Sequence, residues 1–113
     1  MSSFCSRTAH RVDADRALMA QLSLMGTKVA LMEWHSQKPW QSITFAGIRH
    51  EFRFAFKGAQ AVEIAEQFII DLPDHQFNLP NHLVADAAVV EVDHQVDPPL
   101  LRLTFEMLLL DER

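Results

Sequence analysis

Ten consecutive residues constrain this chain more than any others. From Ile48 to Lys57, the side chains of Ile48, His50, Phe52, Phe54 and Phe56 alternate with Arg49, Glu51, Arg53, Ala55 and Lys57. Successive residues of an extended strand point to opposite faces, so the run is a β-strand with one apolar and one charged face. The apolar face needs a cover, and two stretches carry helical stripes able to supply it. Asp13 to Met25 places Ala14, Ala17, Leu18, Leu22 and Met25 on one side, with Asp13 as N-cap and Gly26 where a left-handed terminal residue belongs. Ala59 to Asp71 carries Val62, Ala65, Phe68 and Ile69, continued by Leu72, opposite Glu63, Glu66 and Gln67. Phe52, Phe54 and Phe56 are therefore expected beneath Leu18, Leu22, Val62, Phe68 and Ile69.

Further strands follow from β-rich runs bounded by turn residues. Lys28 to His35 reads as a strand ended by a Ser36 to Pro39 turn, and Gln41 to Phe45 as a second, reversed at Ala46-Gly47 into the third. Leu83 to His94 and Leu100 to Leu110 form a closing hairpin about Gln95-Val96-Asp97-Pro98-Pro99, because proline cannot donate to a ladder. Between the second helix and this hairpin, Asp74 to His82 reads as a loop anchored by Phe77 and Leu79. The order α-β-β-β-α-β-β, with short connections, predicts an α+β two-layer sandwich: a mainly antiparallel five-stranded sheet with two helices on one face. Moving the first strand of a ferredoxin-like βαββαβ unit to its end gives αββαββ, one strand short of this order, so the relation is an analogy of arrangement. Residues 1 to 12 read as a mobile tail and 13 to 113 as one domain, the size of chain that holds a core without staples.

Composition narrows the function classes. A net charge of −5 disfavours a nucleic-acid binder, whose phosphate affinity comes from Lys and Arg. Residues 1 to 61 hold eight basic against four acidic side chains, and residues 62 to 113 hold two against eleven, an asymmetry that reads first as two halves that interleave in one sheet and attract each other, with an acidic docking face as the alternative. No apolar run reaches membrane-spanning length, and no secretory leader precedes Cys5, the lone cysteine, so a soluble, cytoplasmic protein without disulfides is expected. Three glycines cannot build a dinucleotide or phosphate loop, and no zinc-protease or nucleophile-elbow motif occurs, so no cofactor is expected. Phe52, Phe54 and Phe56 beside Arg49 and Arg53 could suggest an RNA-stacking strand, but three rings sharing a face with Ile48 belong to a core.

Two polar residues break their own patterns. His50 shares the phenylalanine face, and Asp86 shares parity with Val84, Ala88, Val90 and Val92. Were they to converge, the carboxylate would orient the imidazole and make a ligand-binding or catalytic pocket, although no nucleophile accompanies them. His75, His82 and His94 lie close in sequence without the spacing of a metal site, and no metal is expected. Trp34 and Trp40 flank the expected turn and are expected to pack across it. The last strand offers Leu101, Leu103, Phe105, Met107 and Leu109 to the helices, yet its other face also carries Leu108 and Leu110. The preceding strand doubles likewise at Leu83, Ala85, Ala87 and Val89. A sheet region apolar on both faces needs a second cover, from the Asp74 to His82 loop or from another subunit. The leading expectation is a non-enzymatic, self-associating or protein-interaction module, a homodimer through Leu83, Ala85, Ala87, Leu108 and Leu110.

Overall fold

The computed structural model describes the backbone from Ser2 to Asp111 and the side chains from Asp13 to Asp111. Its element order is α1 (Ser2–Met25), β1 (Leu31–Gln41), β2 (Ala46–Lys57), α2 (Ala59–Asp71), a short 3-10 turn (Leu72–Asp74), β3 (His82–Gln95) and β4 (Leu100–Asp111). The strands form one antiparallel sheet in the order β1-β2-β4-β3. The class is α+β with two helices, and the sheet has four strands rather than five. The observed order is the αββαββ of a permuted βαββαβ unit.

The missing strand has a physical cause. The two segments expected on either side of a Ser36–Pro39 turn are a single strand, β1, and Pro39 sits within it opposite Ile48. Proline is tolerated there because β1 lies at the edge of the sheet, where only alternate N–H groups face the neighbouring strand. The reversal instead occupies Ser42 to Phe45, closed by the Ser42 amide donating to the Phe45 carbonyl at 2.8 Å and the Phe45 amide donating to Ser42 Oγ at 3.1 Å. Trp34 and Trp40 consequently belong to one strand and do not face each other across a hairpin.

Gly47 is no turn residue either. It lies in β2, opposite Trp40 and Leu110, and a Cβ built on it would come within 2.0 Å of the Leu109 carbonyl oxygen. Close backbone approach explains this glycine. At the end of α1 the left-handed residues are Thr27 and Lys28 (φ 49° and 63°), the residues after Gly26, and the Lys28 amide donates back to Ser23 O at 2.9 Å. Helix α1 begins at Ser2, so Asp13 lies mid-helix and the stretch expected as a tail forms its first turns. No glycine or proline interrupts Ser2 to Met25, so nothing local stops the helix short of about 36 Å. Met1 lies outside the described residues.

The core forms where expected. Phe52, Phe54 and Phe56 of β2 and Leu101, Leu103, Phe105, Met107 and Leu109 of β4 are buried on one face of the sheet, together with Leu18 and Leu22 of α1 and Val62, Ala65 and Phe68 of α2. Ile69 packs on the same cluster, and Leu79 and Phe77 pin the loop to it. Phe68 reaches Phe54, Phe56 and Phe105 at ring-centroid distances of 5.5 to 6.0 Å. This helix-covered side is called the inner face below.

Candidate functional site

His50 is 1% exposed on the inner face, between the rows of Ile48 and Phe52 and opposite Gln37 and Met107. Its Nδ1 lies 2.9 Å from Nε2 of His35 on β1, a hydrogen bond in which one ring donates and the other accepts. The two imidazole planes are parallel within 5° with centroids 5.2 Å apart, as an edge-to-edge hydrogen bond requires, and the His35 ring lies parallel to Phe52 with centroids 4.4 Å apart. On the helix side, Asp15 Oδ1 of α1 stands 3.7 Å from His50 Nε2, beyond hydrogen-bond length. Burial pushes the His50 imidazole down to about 4, and the neighbouring His35 and His82 charges push the same way. Burial also lowers His35, against the opposing pull of Asp15. At neutral pH the pair is uncharged, and one shared proton between two rings satisfies a buried polar contact.

Asp86 is exposed on the other side of the sheet. Strand β3 bulges between Val84 and Asp86 and again between Val89 and Glu91, so parity changes twice along it. Val84, Ala87, Val89 and Val92 fall opposite the inner-face residues Leu109, Met107, Phe105 and Leu103, whereas Asp86 falls opposite Leu108 on the outer face. The sheet separates Asp86 from His50. A shallow concavity of about 480 Å³ lined by Met25, Ile70, Asp71, Asp74, His75 and Gln76 contains neither residue.

The same bulges redistribute the apolar residues of the closing hairpin. Leu83 is opposite Leu110 on the outer face, Ala85 is the bulged residue, and Ala87 belongs to the inner face, where it packs on the core. Leu108 is nearly covered by its neighbours, Leu110 is half-buried, and Leu83 is 55% exposed. The outer face also carries charge pairs: Arg49 lies 3.7 Å from Glu106, and Arg102 donates to Glu33 at 3.0 Å.

The other histidines are dispersed. His75 packs edge-on against Phe77, His94 sits opposite Leu101, and His82, the first residue of β3 and near enough for its charge to act on His50, stands 3.1 Å from Asp111 without the alignment of a hydrogen bond. Among the described residues no three His, Cys, Asp or Glu side chains are grouped to hold a metal ion, and no helix is long and apolar enough to cross a membrane. His35 escaped the sequence reading. Only its register opposite Phe52 aligns it with His50, and that register depends on recognising β1 as one strand.

What the structure leaves open are the flanks. On β1, Leu31, Met32 and Trp34 are each 43 to 50% exposed; on β3, so are Val90 and Val92 at 54 and 45%; and Ile43 at the β1–β2 tip is fully exposed. No family model matches this sequence. No curated protein matches it either. Among solved structures the chain is similar to one from the virion of a native gene transfer agent (GTA) particle, with a TM-score of 0.52 and 12% identity over 81% of this chain and 84% of that one, a likeness of fold.

Proposed function

We propose that this chain is a non-enzymatic structural module, one domain of the cytoplasm, whose partner is a second copy of itself. The observation that carries the reading is the pair of apolar edges: Leu31, Met32 and Trp34 on β1, and Leu83, Val90 and Val92 on β3. Strand edges with open backbone groups and large apolar side chains are sites of association unless they are covered. The similarly folded chain belongs to a virion particle, a setting in which a small domain serves through its contacts. A homodimer is the simplest product of such association, and Leu83 and Leu110, side by side on the outer face, are its candidate contacts, with Leu108 and Ala85 next to them. The uncharged His35–His50 pair, with His50 buried and His35 partly exposed at the edge strand, acts as a packing contact in this reading.

Light scattering after size exclusion at micromolar concentration tests it. A mass of two copies or more is expected, and a monomeric mass overturns the proposal.

A further inference from the structure

The two halves of the sheet differ in charge. The ribbon from Lys28 through β1 and β2 carries five basic side chains (Lys28, Lys38, Arg49, Arg53, Lys57) against two acidic ones, Glu33 and Glu51. The β3–β4 ribbon, His82 to Asp111, carries six acidic side chains against Arg102 alone. On the edge strands themselves, β3 carries Asp86, Glu91 and Asp93 and no Lys or Arg, while β1 carries Lys38, its Glu33 being paired with Arg102; joining β3 to β3 sets like charges together, whereas joining β1 to β3 sets Lys38 against the acidic edge.

The topology favours the same choice. Four strands with antiparallel neighbours throughout leave β1 and β3 running in opposite directions. A second copy beside the first, helices on the same side, therefore brings its β1 antiparallel to the first copy's β3, and the alternation of the sheet continues. The rows of the sheet then set which residues meet. One outer-face row runs Lys38, Arg49, Leu108, Asp86, and the next runs Trp40, Gly47, Leu110, Leu83. An inner-face row runs Met32, Phe54, Leu103, Val92. Each row ends in a complementary couple: Asp86 with Lys38, Leu83 with Trp40, and the half-exposed Val92 with the half-exposed Met32.

We propose that copies of this chain associate head to tail, β3 of one against β1 of the next, with Asp86 beside Lys38, Leu83 beside Trp40 and Val92 beside Met32. The proposal rests on self-association and specifies its geometry. The bulges at Glu33, Ala85 and Val90, with Pro39, interrupt both edges against indiscriminate strand pairing, so the side-chain couples select the partner. Because the two surfaces of such a contact differ, every pair leaves one edge free at each end. Assembly passes beyond two copies and ends only by ring closure or as a filament.

Cysteine pairing tests the register. In a Cys5→Ala background, Lys38→Cys and Asp86→Cys proteins are oxidised separately and as an equal mixture; neighbouring antiparallel strands bring Cα atoms within disulfide range. Disulfide dimers are expected in the mixture, one copy of each kind, and in neither protein alone. Equal cross-linking of either protein with itself overturns the head-to-tail contact in favour of a symmetric one. Charge exchange gives a second measurement on variants of exposed residues: Asp86→Lys and Lys38→Glu each weaken association roughly tenfold or more, and mixing them restores it. Light scattering of the unmodified protein separates the two levels of the reading. More than two copies are expected; a dimer, or a larger species without mixed disulfides, overturns the head-to-tail register and leaves self-association standing, whereas a monomer overturns both.

Discussion

The middle of the sheet and its flanks use the same kinds of residue to different ends. On β2 and β4 the inner-face rows are closed over by α1 and α2, and Phe52, Phe105 and Leu103 lose all contact with solvent. On β1 and β3 the same rows continue with Met32 and Val92, each about half exposed. An apolar residue in the middle holds the fold together, whereas the same chemistry one strand outward stays half in water. The contrast predicts that damage to the middle is read in stability and damage to the flanks in assembly.

The largest effect is expected at Phe54, 4% exposed and in ring contact with Phe52, Phe68 and Phe105. Phe54→Ala should cost about 3–5 kcal/mol, enough to unfold a domain of ordinary stability. Urea denaturation followed by circular dichroism measures it, and an unchanged midpoint would show that the middle is not where stability resides.

Next comes the pH dependence set by His50. The unfolded imidazole takes its proton near 6.5, whereas the folded one is held down to about 4. Between those values the unfolded state binds the extra proton, so stability is fully present above pH 6.5 and falls toward pH 4, by about 3 kcal/mol from this group. Carboxylates add their own slope in the acid range. The decisive quantity is therefore the difference between the native protein and His50→Gln, whose profile should be flatter from pH 6.5 to 4.5. Parallel profiles would remove His50 from the acid sensitivity of the core.

A third test concerns the corner where the middle meets the hairpin. Gly47→Ala places a methyl group against the Leu109 carbonyl and should cost about 1–3 kcal/mol as the β2–β4 pairing shifts to admit it. A melting temperature equal to that of the native protein would show that the strands separate there at no cost.

The sequence was most legible where one physical rule acted alone. Helix α2 spans Ala59–Asp71 as its stripe predicts, and the alternation of Ile48 to Lys57 places every phenylalanine of β2 in the core. Competing rules hid the rest. Pro39 speaks for a turn except on an edge strand, and Ile43 and Thr44 have strand-forming side chains yet occupy the loop that Ser42 closes. Asp86 shares parity with Val84 and Val92 in sequence, but one bulge turns it to the outer face and a second returns Val92 to the inner one, because a single extra residue reverses every side chain beyond it. The surplus apolar residues and the split charge were visible in the sequence, although where the apolar residues lie on the sheet depended on those bulges.

The smallest expected effect on stability is also the one that separates the flanks from the middle most sharply. Met32→Ser and Val92→Ser each remove an apolar side chain that is already half in water, and neither residue is among those packed on the core. Surface changes of this kind shift stability by about 0.5 kcal/mol or less. Yet the two residues end the same row of the sheet, and in a head-to-tail contact they meet, so the double variant should melt like the native protein and elute at lower mass in light scattering. A loss of stability comparable to that of Phe54→Ala would place these residues with the core. Native stability with undiminished assembly would move the contact off this row, because an interface loses affinity when its buried apolar couple is made polar.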